Sequence, residues 1–143
     1  MSNYRQMLVA IDLSDQSRTI AAKSAELAKQ WSARIRLLHV IEFVPVEPMS
    51  DALVPVVQID DQVIARAHAQ ITALGATLSL GVDCCHVATG NVKGEILRQA
   101  RDMGADLIVL GCRERHGLSI LVNLTEDTVL HGAPCDVLAM RMR

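Results

Sequence analysis

Asp106-Leu-Ile-Val-Leu-Gly111-Cys-Arg-Glu-Arg-His-Gly117 decides how this chain is read. Leu107 to Leu110 is an aliphatic run that fits a buried strand. It is expected to break at Gly111, cross a loop carrying Arg113, Arg115 and His116, and enter a helical pattern that ends near Gly132 and Pro134. In an open parallel sheet, the loop leaving a strand's carboxyl end lines the ligand crevice. The next helix turns free N–H groups and a positive dipole end toward that crevice, a layout suited to an anion.

Upstream of this stretch, Asn91 caps a helix whose face is Val92, Ile96, Ala100 and Met103 and whose end is Gly104. Val82 to Thr89 before it reads as a strand. Asp60 opens a stripe of Val63, Ala67, Ile71 and Leu74, with Gly75 as the expected stop. Toward the N-terminus, Arg34 to Ile41 and Met7 to Ile11 are aliphatic strands. Between them Ser14 caps a helix with Ile20, Leu27, Ala28 and Trp31 at helical spacing. Val137 to Met142 supplies a fifth strand. The alternation predicts an α/β fold, a five-stranded parallel sheet wound on both faces in the Rossmann-like manner. If strand one is central with strand four beside it, the loops after Asp12 and Gly111 are two walls of one crevice.

Phe43 to Val57 has three prolines and no period, yet it is rich in valine. It reads as a surface connection folded over the core, or as a lid or partner-facing patch.

At 143 residues the chain is expected to form one domain, with no need of disulfides or metal to hold it. Half of the residues are apolar but only three are aromatic, as in sheets covered on both faces. A net charge of −2 without a basic stripe argues against nucleic acid. The first residues lack a signal-peptide pattern, no apolar run is of membrane-spanning length, and the four cysteines form no C-x-x-C pair. These features predict a cytoplasmic protein with reduced thiols and no membrane partner.

The remaining motifs carry less chemistry. A Walker loop and a G-x-G-x-x-G after a strand are both missing. Cys84, Cys85 and His86 suggest a metal cluster, but strand alternation would put Cys84 and His86 on one face and Cys85 on the other, which favours a core role. His39, inside an apolar strand, reads as a hydrogen-bonded core histidine. A Ser14, Asp12, His116 triad lacks the nucleophile elbow and an oxyanion hole. Asp12 sits where strand one meets its helix. It is placed either to contact a ribose or metal-bound phosphate, or to satisfy loop N–H groups beside the Ser14 cap.

Leu8-Val-Ala-Ile-Asp-Leu-Ser14, Leu37-Leu-His-Val40, Gly104-Ala-Asp-Leu-Ile-Val-Leu-Gly111 and His131-Gly-Ala-Pro-Cys-Asp-Val-Leu138 together resemble the universal stress protein family, in the family's order and over nearly the whole chain. The resemblance implies cytoplasmic homodimers, often paired through the last strand, and in many members a site for ATP or AMP with Mg. It would put Ala10 and Asp12 at the adenosine, Val40 at the adenine, and Gly111 at the start of the phosphate loop; if the site is retained, Asn123 and Thr125 lie further along it, and Arg113 with Arg115 would substitute for lost backbone donors. The family signature resembles G-x-x-G, eight or nine residues, then G-[ST]. Here Glu114, Asn123 and Leu124 stand at the second glycine, third glycine and hydroxyl positions.

Glu114 brings a side chain and a negative charge where a glycine would let backbone meet phosphate. Asn123 and Glu126 spell a helix-capping arrangement that would use up N–H donors. The expected function is therefore a dimeric stress-response protein without catalytic residues or firm nucleotide binding. The alternatives are an ATP- or AMP-binding member with at most slow ATPase activity, and a non-catalytic interaction module that docks a protein partner through Phe43 to Val57.

Overall fold

The computed structural model describes residues 4–42, 60–113, 129 and 131–142. The elements run β1 (Gln6–Ala10), α1 (Asp15–Trp31), β2 (Arg34–Glu42), α2 (Asp61–Thr77), β3 (Cys85–Gly90), α3 (Val92–Met103), β4 (Leu107–Arg113) and β5 (Asp136–Met142). Helical backbone at Val129, His131 and Gly132 precedes β5. All four pairings are parallel and the order is β3-β2-β1-β4-β5, so β1 is central. The five-stranded parallel sheet read from the sequence is the one observed.

Each face of the sheet has its own core. Met7, Val9, Ile35, Leu37, Leu107 and Val109 pack under α1 and α2, meeting Ile20, Ala28 and Ile71. Leu8, Leu38, Val40, Ile108 and Leu110 pack on the other face against Ile96 and Ala100 of α3 and against Val129. Covering on both faces explains why the central strands are aliphatic at successive positions. Met7, Leu8 and Val9 are all fully buried. Among the described residues no helix is long and apolar enough to cross a membrane.

The capping signals act as the sequence suggests. The Ser14 hydroxyl accepts the Ser17 N–H, Asn91 Oδ1 accepts that of Gly94, and Gly104 closes α3 in the left-handed region at φ 64°.

Three boundaries differ by more than one residue. α2 runs through Gly75 and ends at Thr77. Gly75 is buried, and a Cβ there would lie 2.5 Å from Cys85 Sγ, so the glycine permits close approach of α2 to β3 and does not stop the helix. The third strand begins at Cys85, not Val82. Val82–Cys84 is a 3-10 turn closed by the Cys84 N–H on the Gly81 carbonyl at 3.0 Å, and Val82 is exposed. β4 does not break at Gly111. It continues to Arg113 because β5 offers partners for Gly111, Cys112 and Arg113 in Met140, Arg141 and Met142.

Candidate functional site at the strand switch

The order reverses between β1 and β4, and the chain leaves both strands at the same edge of the sheet. Ala10 is in register with Leu38 on one side and Leu110 on the other, so Gly111 lies one step beyond Ala10's partner. Val40 lies on β2, buried in the α3-side core against which Ala10 also packs. Four of the residues singled out from sequence, Ala10, Asp12, Val40 and Gly111, thus collect on the carboxyl edges of three adjacent strands. Arg113 ends β4 in register with Met142. Asn123 and Thr125 lie outside the described residues, as do Glu114, Arg115, His116 and the Phe43 to Val57 segment.

The β1–α1 turn is the best defined wall. Asp12 is exposed at its start, and its Oδ1 accepts the Ser14 N–H at 2.9 Å and the Ser17 hydroxyl. Ser17 is buried, and its hydroxyl oxygen accepts the Asp12 N–H at 3.1 Å. The two residues are therefore joined reciprocally, backbone to side chain and side chain to side chain. The role in which Asp12 satisfies N–H groups of its own loop is thus observed. Leu13 follows in the left-handed region at φ 62°, an uncommon conformation for a residue with a Cβ. Its side chain packs against the α1-side core and borders a groove of about 320 Å³ with Arg18, Leu74 and Leu78.

His39 supports the turn from behind. Its Nδ1 lies 2.9 Å from the Ile11 carbonyl oxygen, while the Ile11 N–H donates to the Leu38 carbonyl at 2.9 Å. The hydrogen-bonded role read for His39 is thus observed. Ser17 was missed by sequence reasoning. An aspartate five residues before a serine is not a capping spacing, and only the helical return of α1 brings the two together.

Cys84 and Cys85 are placed by different elements. Cys84 belongs to the 3-10 turn, so strand alternation does not reach it, and Cys85 is buried against α2. Burial, and then the neighbouring Cys84, push the Cys85 thiol above its ordinary range, which favours the protonated form. Among the described residues no three His, Cys, Asp or Glu side chains converge as they would around a metal ion.

The family model described as "Universal stress protein family" matches residues 3–141. The chain is 34% identical to universal stress protein A homolog 2 of Coxiella burnetii over 144 residues, covering 100% of this chain and 99% of that one. In fold it is similar to universal stress protein UspA from Lactobacillus plantarum, with a TM-score of 0.74 at 22% identity over 99% of this chain and 100% of the other. It is also similar to a universal stress protein solved in complex with cAMP, with a TM-score of 0.68 at 17% identity over 96% and 97%.

Proposed function

The chain belongs to the universal stress protein family, and from that premise we propose that it is a cytoplasmic, dimeric stress-response protein that turns over no substrate and holds no nucleotide firmly. One observation carries this reading. β4 runs as sheet ladder through Gly111, Cys112 and Arg113, each in register with a β5 residue. A phosphate cradle needs backbone N–H groups that point into an open loop, and Gly111, where the resemblance would begin that loop, continues the strand instead. Glu114 then follows, adding negative charge at the next position.

A second reading is firm binding of an adenine nucleotide, and it too has a specific support. A protein of similar fold was solved with cAMP, and the residues that the resemblance puts at the adenosine, Ala10, Asp12 and Val40, share the switch-point edge. In that case these three would hold the nucleoside. Calorimetric titration with ATP plus magnesium, AMP and cAMP separates the two. The first reading expects dissociation constants of roughly 100 µM or weaker, worth about 5.5 kcal/mol or less. A dissociation constant in the low micromolar range for any of the three, with a matching rise in melting temperature, would refute it and establish the second.

The dimer is assigned to β5. This strand pairs with β4 alone among the described strands, which leaves a row of backbone donors and acceptors along its other edge for a second copy. Light scattering should give twice the 15.6 kDa chain mass. A monomer mass at micromolar concentration would remove the assignment.

A further inference from the structure

We infer that His39 is the positioning residue of the crevice: its imidazole clasps the Ile11 carbonyl from the opposite face of the sheet and fixes the turn that carries Asp12. The first step is chemical. A carbonyl oxygen only accepts, so the 2.9 Å contact requires the proton on Nδ1. The neutral ring is therefore the Nδ1–H tautomer, with Nε2 as a bare acceptor.

The second step is geometric. His39 alternates with Leu37 and Ile35 on the α1 and α2 side of β2, whereas Val40 and Ala10 belong to the α3 side. The ring thus reaches the turn from behind the residues assigned to the nucleoside and cannot be a direct contact on their face.

The third step concerns what the clasp holds. Ile11 is the first residue beyond β1, and its peptide is tied at both ends, N–H to the Leu38 carbonyl and carbonyl to His39. The next residues form a conformation the chain would not adopt unaided. Leu13 is at φ 62°, and Asp12 bonds within the turn to the Ser14 N–H and, reciprocally, to Ser17. A left-handed leucine persists only where its surroundings over-determine it, and such conformations cluster at ligand sites. His39 and Ser17 supply that constraint from the two sides of Asp12, one from β2 and one from α1. The role of the turn toward a ligand rests on the reading of the crevice given above. The clasp itself does not.

The experiment uses the full chain and three variants. His39→Asn places its amide nitrogen where Nδ1 stands and keeps the donor. His39→Gln places it where Nε2 stands, and His39→Leu removes it. Nitrogen-15 NMR of the wild-type imidazoles, with the His39 signals assigned by their loss in the variants, should show a protonated Nδ1 in the neutral ring. Amide exchange should show the Asp12 and Ser14 N–H groups losing protection about tenfold in His39→Leu and His39→Gln, but not in His39→Asn, with the Val9 and Val109 amides unchanged in all three.

An Nε2–H tautomer, equal protection in all variants, or equal loss in Asn and Leu overturns the inference. The tautomer measurement on the wild type decides the matter even if a variant folds poorly. Titration with cAMP and ATP reads the crevice separately: if neither binds while the exchange pattern stands, the ligand role is lost and the clasp is retained.

Discussion

Gly75 offers a quantitative test of how α2 is seated on the sheet. Gly75→Ala adds one methyl group whose carbon would lie 2.5 Å from Cys85 Sγ, against the roughly 3.5–4.0 Å at which carbon-sized atoms meet comfortably. The thiol ends a side chain on a buried strand position, and to yield it must rotate away from its 3.7 Å contact with the Gly81 carbonyl. Overpacking of this kind costs about 1–3 kcal/mol. In a helix interior, however, alanine is favoured over glycine by about 1 kcal/mol. The net effect in the wild-type background is therefore destabilisation by up to about 2 kcal/mol.

Cys85→Ala removes the clash, because the next atoms the new methyl would meet are Leu80 Cβ and its carbonyl oxygen, both at 3.7 Å, ordinary contacts. In that background Gly75→Ala should stabilise by about 1 kcal/mol, its full helix-propensity gain. The double-mutant cycle, measured by urea unfolding at one fixed protein concentration, should thus show a coupling of about 1–3 kcal/mol with a reversal of sign. Coupling below about 0.5 kcal/mol, the usual scatter of independent sites, would refute the claim that Cys85 is what Gly75 accommodates.

Three further outcomes follow from the same geometry. Tyr4 is the only tyrosine, and its hydroxyl donates to Asp136 Oδ2 at 3.0 Å, which holds its ionisation above the ordinary value of 10.0. The fold favours the protonated phenol, so this contribution is complete below pH 10.0 and is lost as pH rises through the folded value; Asp136→Asn should lower the phenolate absorbance midpoint, and an unchanged midpoint counts against the bond. Asn91→Ala should cost about 1 kcal/mol in urea unfolding, since Gly94 N–H loses its acceptor at 2.9 Å, whereas Asn91→Asp should be near neutral; equal losses would show that the cap is not the cause. Ser17→Ala should cost about 1–3 kcal/mol by removing both reciprocal bonds to Asp12 at a buried position, and a loss below about 0.5 kcal/mol would mean that the turn is held without Ser17.

What could be read in the sequence was whatever is decided by neighbours in the chain. Aliphatic runs at Met7–Ile11 and Arg34–Ile41 became β1 and β2, and Ser14, Asn91 and Gly104 became caps, because caps and periodicity are local physics. What could not be read depends on a residue far away in sequence. A glycine after a helical stripe means a stop or a close approach, and only Cys85 on β3 selects the second. Gly111 stays in the ladder because Met140 of β5 lies beside it. Val82, a strand former by propensity, is drawn into a turn by the Cys84 to Gly81 bond. At the site, the gathering of Ala10, Asp12, Val40 and Gly111 followed from the strand order, but the Ser17 and His39 contacts that shape the turn required coordinates.

The position of β1 also governs how the chain is made. β1 leaves the ribosome before the other strands of the sheet, β2 can pair with it and β3 with β2 in turn, yet its other edge is matched by β4, where Met7 meets Leu107 and Val9 meets Val109. A nascent chain that ends anywhere in α3 therefore carries a half-built sheet whose innermost strand shows Leu8, on the face α3 has yet to cover, and an open backbone edge to its surroundings. Such an edge is a template for mispairing, and closing it across that span is slow. Synthesis is thus the vulnerable interval: until β4 arrives, a truncated or stalled chain of this sequence exposes the apolar surface and strand edge on which aggregation begins.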